Sequence, residues 1–201
     1  MLNRPPRNLA KQALATRDIR ADLLFRISRH DSGEPYFGVS AAYRFDDNHR
    51  NKAKRFGTCY CGFDLDTAIA ETMLHDELPV RGAFRLSASD FASRFLVRFA
   101  HRQVLTVADL TGVALKRLGG TGALSTILPY DLPQAWSRAV HHHPQQVVGL
   151  YYMSRHLNDR PAIVIFSRAA AKLGKATYTP LDTAAGVVAA KASLGLRFPF
   201  P

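Results

Sequence analysis

A single mixed α/β domain is the fold class the sequence predicts, on three observations. The chain has 201 residues, 47% of them hydrophobic, enough to bury one core without a second domain. Apolar, β-branched and aromatic runs of strand length alternate with amphipathic stretches of helix length. No internal repeat or low-complexity tract interrupts them.

Taken in order, residues 1–22 are basic, broken early by Pro5 and Pro6 and weakly helical through Leu9, Ala13 and Leu14; they read as an arm or short helix before a domain spanning 23–201. LLFRIS alternates as a strand does, with Leu23, Phe25 and Ile27 on one face and Arg26 on the other. His30 to Arg55 is rich in Gly, Pro, Asp, Asn and Arg and has little periodicity, which predicts a functional or mobile loop. FGTCYCGF follows as a strand and DLDTAIAETMLHDEL as a helix, with an Asp to cap it and Ile69, Ala70, Met73, Leu74 and Leu78 on its apolar arc. FLVRFA and VLTV read as strands, and 110–126 as a loop with a short helix. DLPQAWSRAVHHHP is a helix ended by Pro144, VVGLYYMS and AIVIF suit central strands, and TAAGVVAAKASLGL is a small-residue helix before an RFPFP tail.

Lys and Arg number 27 against 16 Asp and Glu, a formal charge of +11, so the surface should attract nucleotides, nucleic acid or an acidic partner. Cys59 and Cys61 flank Tyr60 and point to the face opposite it; two thiols are too few for a disulfide framework or a four-ligand metal site. His141, His142 and His143 fan around a helix and cannot converge on one ion, so no metal is expected. Gly119-Gly120-Thr121-Gly122 lacks the spacing of a dinucleotide fingerprint, and there is no P-loop and no G-x-S-x-G elbow. Neither a secretion signal nor an apolar run of membrane-spanning length is visible, so a soluble, cytoplasmic protein is expected.

Five residues are the candidates for carrying chemistry. Arg26 interrupts an apolar strand, where a charge is costly unless paired, and with Arg44 it offers planar forks suited to a pyrophosphate. Tyr60 presents an aromatic face that can stack on a cationic ring. A strand, a capped turn and a helical turn bring Glu71 back toward Tyr60, where a carboxylate would stabilise positive charge building on a ribose. Ser154 ends a strand on the face of Tyr152 and Leu150, with a hydroxyl that can bond phosphate or ribose.

In the order LLFRIS, YRFDD, FGTCYCG, DTAIAETMLHD and GLYYMSRH, these contexts resemble the RES domain, over about 23–166. The resemblance implies an ADP-ribosyltransferase-like fold and a toxin that degrades NAD by phosphorolysis or hydrolysis, neutralised by a Xre-type antitoxin. It also implies that Arg26, Arg44, Tyr60, Glu71 and Ser154 line the NAD pocket, with NAD and inorganic phosphate as substrates rather than resident cofactors. Compact members carry the second arginine nearer the tyrosine, which leaves Arg50 and Arg55 as alternatives to Arg44. Where some members have a tyrosine after the first arginine, this chain has Ile27, and Tyr36 or Tyr43 would take its duty. Two rival functions are protein ADP-ribosyltransfer in the same pocket and, from the net charge, nucleic-acid binding. Monomer and homodimer both remain open.

Overall fold

The computed structural model describes residues 2–200, the side chain of Phe200 excepted. Its central layer is a five-stranded sheet of β1 (Thr16–Arg20), β3 (Thr58–Gly62), β6 (Val104–Asp109), β7 (Gly149–Met153) and β8 (Pro161–Phe166), in the order β1-β6-β7-β8-β3. Every pairing in it is antiparallel except β6 with β7. A three-stranded antiparallel sheet, β2 (Arg26–Ser28), β5 (Phe95–Phe99) and β9 (Ala176–Pro180), packs on one face.

Strand alternation explains the layering. On β8, Ala162, Val164 and Phe166 face one core with Trp136 and Val140, while Ile163 and Ile165 face another with Cys59, Cys61, Leu24 and Val97. Both faces of the sheet are therefore covered, which is why AIVIF and GLYYM carry almost no polar side chain. Trp136 and Val140 belong to α4 (Asp131–His141), the cover on the first face. The third core joins Ile27 and Leu96 to Ile69 and Met73 of α1 (Leu65–Met73), Phe91 of α2 (Ala88–Ala92) and Val187 of α6 (Val187–Ser193). A parallel pair, β4 (Phe84–Ser87) with β10 (Leu196–Phe200), closes that end. The remaining helices, α3 (Gly112–Arg117) and α5 (Ala170–Leu173), are short.

Several expectations need correction. The N-terminal stretch is no free arm: Leu2, Leu9 and Leu14 are buried, Trp136 Nε1 donates to Asn3 O at 2.9 Å, and Thr16–Arg20 pairs with β6. Helix α1 stops at Met73, and Leu78, placed on its apolar arc, is 84% exposed. The residues 30–55 form no long element, yet the middle of the segment is pinned: Phe45, Asp46 and Asp47 are buried. The RFPFP tail supplies part of β10.

Candidate active site

One cleft of about 430 Å³ is walled by β2, β3, α1 and the loop carrying Arg44, a volume in the range of small-molecule sites. Arg26, Arg44, Tyr60 and Glu71 all line it. Gly62 ends β3 at a point where any Cβ would sit 2.9 Å from the Ala68 amide, so only glycine lets α1 turn back this closely. Asp64 caps that helix by accepting from Thr67 N at 2.7 Å. The tight turn carries Glu71 to the cleft shared with Tyr60, as the sequence spacing predicts.

Arg26 is held on two sides. Its Nε donates to Glu34 Oε1 at 2.8 Å and its Nη1 to the Tyr60 carbonyl at 3.0 Å. Glu34 in turn accepts from Tyr36 N at 2.7 Å, so the carboxylate that balances Arg26 also fixes the chain leading to Tyr36. The Arg26 charge is compensated within the protein by Glu34, and its Nη2 makes no hydrogen bond among the described residues.

Arg44 is different. It is buried, donates through Nη1 to Ile127 O at 2.8 Å and lies 4.7 Å over the Tyr130 ring, yet among the described residues its buried Nη2 has no hydrogen-bond partner and no carboxylate pairs with it. Burial pulls its pKa below that of a free arginine, opposed by Tyr130 and Glu71 and aided by Arg155. The residues after it hold it there. Phe45 is fully buried, and Asp46 accepts from Thr58 Oγ1 at 2.6 Å, Ser40 Oγ at 2.9 Å and the Tyr60 hydroxyl at 3.1 Å. Asp47 accepts from Arg138 Nη1 at 2.6 Å, His49 N at 2.9 Å and Phe56 N at 3.3 Å. YRFDD is thus one device, a core anchor and two saturated carboxylates that present an arginine.

The two alternative arginines lie elsewhere. Arg55 donates to the carbonyls of His49, Val39 and Ser40, and neither it nor exposed Arg50 lines the cleft. Tyr36 and Tyr43 both reach the cleft and both are largely exposed. The Tyr60 hydroxyl donates to Asp46 and accepts from Phe45 N at 2.9 Å, and its ring meets that of Tyr43 edge-on at 6.0 Å.

Glu71 and Ser154 meet directly. Ser154 Oγ donates to Glu71 Oε1 at 2.5 Å and accepts from His156 N and Leu157 N, each at 3.1 Å. The serine's one proton is committed to the carboxylate, and Ser154 is not among the residues facing the cleft. Burial raises the pKa of Glu71, while the Ser154 bond and the charges of His75, Arg44 and Arg155 restrain the rise. Sequence reasoning passed over Arg155, His75 and Tyr130, which also line the cleft. SRH after a strand reads as an ordinary polar strand end, although proximity to Ser154 was a usable signal.

In the histidine triplet, His141 stacks on Phe56 at 3.9 Å and meets the His142 ring edge-on at 5.0 Å, His142 Nδ1 lies 2.8 Å from Arg138 O, and His143 Nε2 lies 3.0 Å from Gln12 O. No helix among the described residues is long and apolar enough to cross a membrane.

No curated protein matches the sequence. The fold is similar to that in the crystal structure of the M. tuberculosis MbcT-MbcA toxin-antitoxin complex, with a TM-score of 0.53, 14% identity, and coverage of 81% of this chain and 84% of that one. The family model described as RES domain matches residues 23–184, extending past the expected limit of 166 through β9, and it takes in all five of the residues gathered above. The chain therefore belongs to the RES domain family.

Proposed function

We propose that this protein is an NAD-degrading enzyme that breaks the bond between nicotinamide and ribose and passes the ADP-ribosyl group to inorganic phosphate or water. The observation that carries this reading is Arg44, a buried cation with an unpartnered Nη2 on the cleft that also holds Arg26 and Glu71. A desolvated guanidinium with a spare donor is best completed by an anion. A dinucleotide brings a pyrophosphate and, beside it, the ribose on which a carboxylate can act.

In this reading Arg44 and the free edge of Arg26 grip the pyrophosphate, and Tyr60 offers its ring to the nicotinamide. As the C1′–N bond breaks, its electron pair leaves with nicotinamide and positive charge builds on the ribose. Glu71, oriented through Oε1 by Ser154, holds a ribose hydroxyl with Oε2 and stabilises that charge. Ser154 thereby acts through Glu71, as a positioning residue. An acceptor oxygen then bonds C1′; phosphate dianion needs no proton removed, whereas water must lose one.

Membership of the RES family and a fold shared with a chain from a toxin–antitoxin complex support the further reading of a toxin that drains NAD and is held in check by a Xre-type antitoxin. Nucleic acid would then be reached only through the antitoxin. Incubating the purified protein with NAD, with and without phosphate, tests the chemistry. ADP-ribose 1-phosphate formed only with phosphate identifies phosphorolysis, ADP-ribose in both identifies hydrolysis, label retained on protein identifies protein ADP-ribosyltransfer, and intact NAD throughout overturns the proposal.

A further inference from the structure

The turn between β7 and β8 is fastened to α1 at two places. It is closed on itself by Ser154 N, which donates to the Arg160 carbonyl at 2.9 Å, and by Arg160 N, which donates to the Leu157 carbonyl at 2.9 Å. At the start of the turn, Ser154 Oγ reaches Glu71, two residues before α1 ends at Met73. At its close, Arg160 Nη1 reaches Asp64 Oδ1 at 3.2 Å and Asp66 Oδ2 at 3.0 Å. Asp64 is the cap of α1, and Asp66 also accepts from Ser193 Oγ of α6 at 2.8 Å. Arg160 does not itself line the cleft.

The spacing of these contacts along the helix gives them a use. Asp66 and Glu71 are five residues apart, about 7.5 Å along the axis. One contact alone would be a pivot, about which the turn could swing and the helix could roll. A second contact that far away removes both freedoms, and with them the easiest ways for the Ser154 hydroxyl to leave Oε1. We propose that Arg160 is a positioning residue: by tying the turn to the start of α1, it holds Ser154 against Glu71 and fixes which way that carboxylate faces. The inference rests on the proposed NAD cleavage for its effect on turnover and adds to it a residue outside the cleft. Ion pairs as exposed as these contribute little to global stability, so the fold survives loss of the tie while the orientation of Glu71 does not.

The test uses the full chain. Arg160→Met should lower kcat for NAD by roughly tenfold with KM within about threefold, and Arg160→Lys, able to reach one carboxylate, should recover part of the loss. A readout independent of turnover is the titration of Glu71, followed by NMR of carboxyl-labelled glutamate. Burial raises its pKa, while the Ser154 bond and the charges of His75, Arg44 and Arg155 around it restrain the rise. Loosening the Ser154 bond through Arg160→Met should therefore move the titration to higher pH. Ser154→Ala should do the same, and the double variant should move it no further than Ser154→Ala alone. Asp66→Ala supplies a test of sign: removing a negative charge would by itself lower the pKa of Glu71, whereas loosening the tie raises it. A titration unmoved by Arg160→Met, shifts that add in the double variant, or a fall in Asp66→Ala overturns the proposal. If the wild type leaves NAD intact yet Glu71 shifts in this pattern, the cleavage reading fails and the tie stands.

Discussion

Two neighbouring groups of buried charges follow opposite rules. Asp46 and Asp47 are saturated: each accepts three or more hydrogen bonds from side chains and amides around it. Arg44, two residues away, lines the cleft and keeps an empty donor among the described residues. Burying polar groups is tolerable when every lone pair and proton is used, so the saturated pair builds structure and the unsaturated arginine waits for a ligand. Around Arg44, completeness of hydrogen bonding separates scaffold from site, whereas the unpartnered buried atoms of Thr67, Arg98, Thr121 and His141 lie off the cleft.

This contrast can be broken by mutation. Arg44→Met should lower NAD turnover on the order of 10²–10³-fold while leaving the melting temperature unchanged or raised, since it removes an uncompensated buried charge; parallel kinetics and thermal melts check both halves. Asp47→Ala should do the reverse. Stranding Arg138 and two amides ought to cost about 3 kcal/mol in urea unfolding, and activity per folded molecule should hold. Tyr60→Phe keeps the ring and removes the hydroxyl shared by Asp46 and Phe45 N, so about 1 kcal/mol of stability is expected to go, with a smaller effect on turnover.

The smallest effect sharpens the comparison through pH. The fold raises the pKa of Glu71, so its charge opposes folding above that pKa and the penalty vanishes where the group is protonated in both states. Glu71→Gln should therefore melt a few degrees higher than wild type at pH 7, with the gap closing below about pH 4. A constant gap across that range would show that desolvation of the carboxylate is not its source.

The parts of the molecule legible in the sequence are those governed by periodicity. Tyr60 opposite two buried thiols, Asp64 as a cap and the run AIVIF all follow from local pattern, and Glu71 reaches its cleft because the strand-to-helix turn leaves little freedom. Strand β1 was missed because TRDIR lies at a sheet edge and is mostly exposed, so it carries no hydrophobic alternation. Strands β4, β9 and β10 are likewise short and half-exposed. The roles of Asp46 and Asp47 were hidden because consecutive aspartates in a loop look solvated, and only long-range partners such as Thr58 and Arg138 reveal otherwise. The same blindness left Arg44, Arg50 and Arg55 undecided until carbonyl contacts placed Arg55 elsewhere.

The clamp at Phe45, Asp46 and Asp47 grips the irregular segment near its middle, and the Tyr60 hydroxyl is one of its jaws. Slack inserted between that grip and β3 would bulge outward without displacing the Arg44 guanidinium. The count of residues separating this arginine from Tyr60 is thus a poor ruler for aligning related chains, and the aspartate pair immediately downstream is the better landmark.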